Sequence, residues 1–511
     1  MLASPQLPRQ SRVVRGGVSL RGVILLVFSI SGCAVFSGYT PELAQTPLPP
    51  ELRDRGAPAP GVVPLQAPVE ETAPVGFVST RRASIDQVVE VARQHSNQVL
   101  QAAARIEVAS GRVQSADGAL LPGIDARVAG SYLDGRQIGS FGDQRDGVSF
   151  GRFEPSVGVY YRVNPAAAYV RTEQFRREAD AAAHDLREAE RTAMLQAGVG
   201  YLDLALNYAS QQIALSLVGD AERFVAIALA RERAQIAGGA DVARAQASVA
   251  RAKQVAVRMR GQWEGASIRL ATLLRWPTDE LLLPADSDLH PTSLIDAMAG
   301  ARLYEEAEIS RPDIRAARAR RAAADKEVLA AWWDLLGPEV DVTLRERWLG
   351  TQVSDLDSTH LVNGLVGFSF DFGELGRART AEGNARLVEI REQTIRERAR
   401  GEIEAAITKV RTMGETIPEA RSSVEAAERS YDIQLARFRA GTGLGIEVIE
   451  AQITQARARL ALATAIVRYN AAQVELAASI GHLRAELLAA SEQPSSSAAA
   501  VTGAVNDAGP R

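Results

Sequence analysis

Histidine, cysteine and paired acidic residues are the side chains of this sequence that could carry out chemistry. The histidines stand singly, and none is spaced from another histidine or from the lone cysteine as metal ligands are. They are His95, His184, His290, His360 and His482. The sequence therefore predicts no zinc or copper centre and no cofactor.

Two further patterns look like catalytic motifs, but their context does not fit. Asp371-Phe372-Gly373 is similar to the magnesium motif of protein kinases, yet no glycine-rich phosphate loop precedes it and no His-Arg-Asp loop exists. Glu305 and Glu306 lie on a charged helical segment, which is nearly always solvated. Because no nucleophile stands with a base, the chain is predicted not to be an enzyme.

Cys33 is the residue for which the sequence predicts a covalent modification. It closes the segment Ile30-Ser31-Gly32-Cys33, after several arginines and the apolar run 23–30, as in the signal peptide of a bacterial lipoprotein. Residues 1–32 are therefore interpreted as a lipoprotein signal peptide, and Cys33 as the lipid attachment site. The alternative is that Cys33 is a small hydrophobe in a discarded leader. A single cysteine allows no disulfide within the chain.

Composition excludes several classes of function. The chain has 511 residues, 46% of them hydrophobic, and can bury a large core. Its 58 basic and 62 acidic residues are interspersed and leave a net charge of -4, so no nucleic acid partner is expected. Nine prolines between positions 41 and 74 indicate an extended tether over residues 33–77. Residues 491–511 have the composition of a disordered tail.

An internal duplication organises the folded body, residues 78–490. A shift of 206 residues superimposes several positions without a gap, which favours two copies of one unit over a chance similarity of helices. The matches include Arg231 with Arg437, Arg233 with Arg439, Gly239 with Gly445, Asp241 with Glu447, and Ala245-Gln246 with Ala451-Gln452. The first repeat is predicted to span residues 78–275, the second residues 311–490, with a connector at 276–310.

Each repeat begins with two segments in which apolar and polar residues alternate. The predicted strands cover about residues 123–134, 153–163, 339–349 and 361–372, joined by exposed loops at 135–152 and 350–359. A solvent-exposed hairpin would show the same pattern, and remains the alternative. Four strands are too few to close a barrel, and open strand edges are not stable in lipid. The membrane interpretation therefore requires several chains.

Two very long helices follow the strands, each returning through a glycine turn. The predicted helices cover about residues 166–236 and 240–274 in the first repeat, and 377–439 and 446–488 in the second. Small and apolar residues recur on the returning helices at the 3.5-residue spacing of coiled coils. Pro418 is expected to interrupt or kink the second outgoing helix.

This order of elements resembles the TolC-like outer membrane factors, and most closely the lipoprotein branch found in resistance-nodulation-division efflux systems. The local motifs agree: residues 311–317 open the second repeat, and Leu121-Pro122-Gly123 and Leu336-Gly337-Pro338 enter strands. Asp371-Phe372-Gly373 joins a strand to a helix, as in the family. The first such junction departs from the pattern because it reads Arg162-Val163-Asn164-Pro165.

The resemblance implies a mixed, mainly α fold with β: a homotrimer with a 12-stranded transmembrane β-barrel, four strands per chain, and an α-helical periplasmic barrel. It implies an aperture ringed by Glu447 and Glu450, whose alternative reading is two solvated acids at a helix N-terminus. The tips would dock a periplasmic adaptor. The tip residues are Gly238, Gly239, Asp241, Gly441, Gly443 and Gly445.

The resemblance also implies a location in the bacterial outer membrane, anchored by lipid, and an inner-membrane pump as a further partner. The function is then passive export of small molecules across the periplasm and outer membrane. A type I protein secretion duct is one alternative. A non-pore periplasmic coiled-coil lipoprotein is another, although it leaves the four alternating strands without a use. The sequence does not identify the cargo.

Overall fold

The structure, a computed structural model, describes residues 77–138, 141–235, 238–285, 289–295 and 300–483. The predicted signal peptide, the lipid attachment site Cys33, nearly all of the tether and the tail at 491–511 lie outside these ranges. Among the described residues, no helix is both long enough and apolar enough to cross a bilayer.

The elements follow the order of a repeated strand pair and helix pair. They are β1 (Ser79–Ala83), α1 (Ile85–His95), α2 (Asn97–Gly118), β2 (Gly123–Ile138), β3 (Gln144–Val163), α3 (Pro165–Arg233), α4 (Gly239–Leu274), β4 (Glu280–Pro284), α5 (Gly300–Ser310), α6 (Pro312–Leu336), β5 (Glu339–Leu349), β6 (Asp357–Gly367), α7 (Phe372–Ala440) and α8 (Gly445–Ser479).

The chain divides into two compact units. The first, here called the sheet unit, comprises Ser110–Arg176 and Lys326–Ala381. The second, the helical unit, comprises Arg177–Asp325 together with the described parts of Pro41–Ala109 and Glu382–Arg511. The sheet unit holds β2, β3, β5 and β6, which form one antiparallel sheet in the order β2-β3-β5-β6.

The register of the sheet separates an apolar face from a polar face, because residues paired across strands project to the same side. Ile124 pairs with Val159 and Val340 pairs with Val366, whereas Asp125 pairs with Gly158 and Gly158 with Arg345. The apolar side chains Ile124, Val128, Val157, Val362 and Val366 are between 48% and 69% exposed. An exposed apolar face of this kind is typical of a surface that contacts a partner or a membrane.

Glu346 and His360 are on the apolar face but near the end that carries the β5–β6 loop. They pair in the register, and their side chains are 4.0 Å apart. Glu346 and His360 are therefore a polar pair within the otherwise apolar face.

The strands differ in extent from those predicted. β2 and β3 continue to Ile138 and back to Gln144, so most of the predicted loop 135–152 is paired strand, with a register shift between Gly135 and Gln137. β6 ends at Gly367, five residues before its predicted end, and Phe372 begins a helix. Asp371 accounts for the start of this helix, because its Oδ1 accepts a hydrogen bond from Gly373 N at 2.9 Å and caps the helix.

The atypical first junction forms an equivalent cap. Asn164 Oδ1 accepts a hydrogen bond from Ala167 N at 3.1 Å, and Pro165 takes the first helical position, which tolerates proline. Asn164 Nδ2 also donates to the carbonyl oxygen of Trp333 at 2.6 Å. A Cβ atom at Gly337 would lie 2.5 Å from that carbonyl and 2.6 Å from Asn164 Nδ2, so glycine is required there.

The outgoing helices α3 and α7 have 69 residues each, which corresponds to about 100 Å. α7 is not interrupted at Pro418, contrary to one of the two predicted outcomes. α8 ends at Ser479, earlier than the predicted 488, because Gly481 adopts a left-handed conformation with φ +80. His482 N then donates to Ala477 O at 3.0 Å and closes the helix end.

A parallel strand pair that the sequence did not predict anchors the connector in the helical unit. β1 and β4 pair in parallel, and Leu281, Leu282 and Leu283 of β4 are buried. Trp263 Nε1 donates to Leu282 O at 3.0 Å, and Leu282 N donates to Ser267 Oγ at 2.8 Å. These bonds fix the segment after α4 against that helix, in a core that also contains residues of α1, α3 and α8.

We expect Asn164→Ala to lower the stability of the sheet unit by about 1 kcal/mol, because it removes both the cap acceptor and the donor to Trp333. Asn164→Asp keeps the acceptor and should lie between the alanine variant and the parent. The measurement is the thermal midpoint of purified protein in detergent. Identical midpoints for the parent and Asn164→Ala would contradict the assigned cap.

Candidate channel site at the helical tips

The two glycine turns that reverse the long helices have different conformations. In the first, Gln235 has φ 59 and α4 starts after Gly238. In the second, Gly441 has φ +82, and the backbone N–H groups of Thr442 and Gly443 donate to Arg437 O at 3.0 and 3.1 Å. The second turn thus satisfies a carbonyl at the end of α7.

Close packing requires glycine at position 443 of the second turn. A Cβ atom at Gly443 would lie 2.9 Å from Phe438 N. Gly445 is buried, and a Cβ atom there would be 3.5 Å from the rings of both Phe224 and Phe438. Gly238 and Gly239 in the first turn are exposed. The six predicted tip residues therefore include both surface positions and buried ones.

A hydrophobic cluster joins the two tips, and is called the tip cluster below. Its buried members are Phe224, Ala228, Val242, Ala245, Tyr431, Phe438, Val448, Ile449 and Ala451. The rings of Phe224 and Phe438 are 5.0 Å apart at their centroids. Gln452 adds a polar link, since its Nε2 donates to Asp220 O at 3.1 Å in a buried position. The tip of one repeat is thereby packed on the tip of the other.

Arg231 fastens this contact. Its Nη1 donates to Phe438 O at 2.6 Å, and its guanidinium carbon lies 4.2 Å from the centroid of the Phe438 ring. The bonded carbonyl is close to the end of α7, where a cation is favoured by the helix dipole. The sequence had shown Arg231 only as a match to Arg437, and nothing local indicated this contact with a residue 207 positions away.

The acidic residues predicted for the aperture lie on the first two turns of α8. Glu447 is half-buried and its Oε2 accepts a hydrogen bond from Leu444 N at 3.2 Å, so it caps its own helix. Glu450 is exposed and lies three residues further, on the same side of the helix. Within the described ranges neither carboxylate forms an ion pair.

The equivalent positions of the first repeat are charged differently. Asp241 corresponds to Glu447 and Arg244 corresponds to Glu450, by the 206-residue shift. Arg244 Nη1 is 3.4 Å from Asp241 Oδ1. The first tip is therefore internally neutralised, whereas the second presents two carboxylates.

A buried arginine ties the start of the second repeat to its end. Arg311 is 1% exposed, and it bonds Asp313 at 2.6 Å, Glu402 at 2.9 Å and Ser479 O at 2.9 Å. Burial alone lowers the pKa of Arg311, but the two carboxylates outweigh it and raise that pKa. Burial likewise raises the pKa of Asp313, and Arg311 reverses this and lowers it overall. This network holds the helix ends together.

No group of three or more His, Cys, Asp or Glu among the described residues is arranged to hold a metal ion. The tips thus offer packing, backbone turns and fixed charge.

Comparison with known proteins gives one family. The model described as outer membrane efflux protein matches residues 88–274 and 303–482. The chain is 26% identical over 390 residues to the pyoverdine export outer membrane protein OpmQ of Pseudomonas putida, covering 72% of this chain and 79% of that protein. The OpmQ protein of Pseudomonas aeruginosa is 26% identical over 387 residues, with the same coverage.

Solved structures share the fold. The outer-membrane channel OprN matches with a TM-score of 0.66 and 21% identity, over 82% of this chain and 96% of that one. VceC of Vibrio cholerae matches with a TM-score of 0.65 and 18% identity, over 78% and 96%. The CmeC channel of Campylobacter jejuni matches with a TM-score of 0.66 and 17% identity, over 83% and 94%.

We expect Arg231→Met to increase backbone hydrogen exchange in the segments around Phe224 and Phe438, because the cation over the ring and the bond to Phe438 O are both lost. The local loss is about 1 to 3 kcal/mol. Arg233→Met, an exposed arginine two residues away, is the matched control and should leave exchange unchanged. Equal exchange in both variants would show that Arg231 does not fasten the tips.

Asp313→Asn is expected to destabilise the helical unit at pH 7 by about 2 kcal/mol, because it leaves Arg311 with a weaker acceptor. The pKa of Asp313 is lowered in the folded state, so its contribution is full above its unfolded pKa and is lost as the pH falls through the folded value. The difference from the parent should therefore shrink below about pH 4. Denaturation midpoints at pH 7 and pH 3 measure this, and a constant difference would contradict it.

Proposed function

Because the chain belongs to the outer membrane efflux protein family, we propose that three copies form an exit duct for small molecules, loaded by an inner-membrane pump through a periplasmic adaptor. The sheet unit is the single observation that carries the trimer. It exposes an apolar face, and its edge strands β2 and β6 have no further strand partner in the described part of the chain. A bilayer supplies no hydrogen-bond partner for such edges, so other chains must pair with them.

The family match settles four of the interpretations made from the sequence. The resemblance to TolC-like outer membrane factors is confirmed, as are the mainly α fold class with β, the efflux channel function and the outer-membrane location. The matched family and the solved structures are channel proteins, not enzymes. The pump, the adaptor and the lipid anchor on Cys33 are part of the proposal.

The number of copies follows from the strands. The sheet alternates in direction from β2 to β6, so β6 of one copy and β2 of the next would also be antiparallel. Two copies would give about eight strands, whose interior side chains nearly fill. Three copies give about twelve strands and leave an aqueous lumen, within the range of known barrels. Three is thus the smallest number that closes the sheet around a passage.

The negative charge at the second tips supports an aperture that selects cations. In a trimer the second tips would bring Glu447 and Glu450 of three chains together, while the paired Asp241 and Arg244 of the first tips would add little. We assign the constriction to Glu447 and Glu450 for this reason. Adaptor docking is assigned to the surface residues Gly238, Gly239, Asp241 and Gly441, with Gly443 and Gly445 shaping the turn.

The relatives favour a small cargo. Both OpmQ proteins are named for pyoverdine export, and pyoverdine is a small molecule rather than a secreted protein. This supports small-molecule efflux over type I protein secretion. The non-pore coiled-coil lipoprotein has no support from the family match, and it leaves the exposed apolar face uncovered.

The proposal is tested with the purified full-length chain. We expect a heat-resistant trimer in detergent and ion conductance after insertion into a planar bilayer. A monomer that inserts without conductance would overturn the duct.

Acylation is checked separately, because Cys33→Ala should abolish incorporation of labelled palmitate.

Glu447→Gln combined with Glu450→Gln is expected to lower the cation-over-anion permeability ratio at least about twofold, because the ring loses its carboxylates. Asp241→Asn combined with Arg244→Gln is the matched control, since it changes two tip residues without changing the net charge. The measurement is the reversal potential in a salt gradient. An unchanged ratio in the first variant would reject Glu447 and Glu450 as the selective constriction.

A further inference from the structure

The polar face of the sheet carries a band of arginines that the efflux function does not by itself explain. Two adjacent rows of the register cross three strands: Asp125, Gly158 and Arg345 form one row, and Arg127, Ser156 and Arg347 form the next. These two rows hold three arginines and one carboxylate. Arg127, Arg345 and Arg347 are called the basic belt below.

The first row is built around a missing side chain. Arg345 Nη2 lies 3.2 Å from Asp125 Oδ2, a contact that spans the middle strand β3. A Cβ atom at Gly158 would lie 3.0 Å from Asp125 Oδ1 and 3.3 Å from Arg345 Nε. Glycine therefore keeps the middle of the row open, and the arginine of β5 reaches the carboxylate of β2.

The carboxylates near the belt are shared. Arg127 Nη2 also lies 3.7 Å from Asp125 Oδ2, a distance longer than a hydrogen bond. Glu154, one row further, forms two ion pairs. Its Oε1 lies 3.2 Å from Arg347 Nη1, and its Oε2 lies 2.9 Å from Arg152 Nη2. Two carboxylates thus serve four guanidinium groups, each of which has five N–H donors.

Two donors of the belt are left over. The Nε atoms of Arg345 and Arg347 are buried and form no hydrogen bond with any residue that the structure describes. Arg127 is the most open member, with 65% of its side chain exposed. The belt therefore has excess positive charge and one accessible guanidinium, that of Arg127.

Acidic residues border the belt on both sides. Glu339 and Asp341 lie toward one end of the strands, with Asp341 paired to Arg162 at 2.6 Å. Glu154 and Asp357 occupy the rows beyond Arg347. The positive charge is thus confined to a narrow zone, which suits holding one group rather than a general field.

We propose that the basic belt binds the carboxylate or another oxyanion of the exported molecule as it passes the barrel. The inference rests on the proposed duct, because the polar face becomes the lumen wall only when the apolar face meets lipid. Three copies bring nine arginines to one level. Guanidinium groups bind planar oxyanions by paired hydrogen bonds.

The test uses inorganic tripolyphosphate as the probe and the full-length protein in detergent, by calorimetric titration at constant ionic strength. We expect saturable binding to the parent and at least about threefold weaker binding to Arg127→Gln, because one accessible cation of each copy is removed. Arg127→Lys keeps the charge and should bind more tightly than the glutamine variant.

Arg136→Gln is the matched control. Arg136 lies on the same strand, has a similarly exposed side chain and pairs with Asp146 in the hairpin beyond the belt. Its removal should leave the affinity unchanged. Equal affinity of Arg127→Gln and the parent for tripolyphosphate, or no binding to the parent, would show that the basic belt does not bind an oxyanion.

Conductance of the same preparations separates this inference from the duct. Binding without conductance would reject the duct, and with it a role of the belt in export, although the belt would still hold an oxyanion. Conductance without binding would support the duct and overturn the belt. In conducting channels, tripolyphosphate should reduce the current of the parent at lower concentration than that of Arg127→Gln.

Discussion

The unpaired edges of a four-stranded sheet are the constraint on which the rest of this structure depends. A strand edge in hydrocarbon leaves N–H and C=O groups without partners, at a cost of several kcal/mol each. In the described part of the chain, the edge strands β2 and β6 have no further strand partner, and the apolar face is well exposed. In the proposed trimer, neighbouring copies pair with these edges and the bilayer covers the apolar face.

Each of the two repeats contributes two strands to the sheet. The repeats form similar helix caps with different residues. Asn164 and Asp371 both cap the helix that leaves the sheet, although one is followed by proline and the other by phenylalanine. At the tips the repeats have diverged further. The first tip neutralises its acid with Arg244, whereas the second retains two carboxylates, and the conformations of the two turns also differ.

Sequence patterns predicted the elements whose signals are local. Alternation located the strands, and glycines located the turns between the long helices. The ends of the helices were predicted less well. The cap formed by Asp371 sets the start of α7 and the left-handed Gly481 sets the end of α8, and both depend on neighbouring residues. The parallel pair of β1 and β4 was missed, since its strands are short and separated by nearly 200 residues. Arg231 and the basic belt needed the tertiary register, which no local pattern reveals.

The amide of Asn164 has a consequence for how the two halves of the chain relate. This residue of the first repeat bonds the backbone of Trp333 in the second, in the space that Gly337 leaves open. A fragment that ends before the second repeat would therefore leave Asn164 Nδ2 without this acceptor, so the entry to the first long helix depends on a residue of the other repeat.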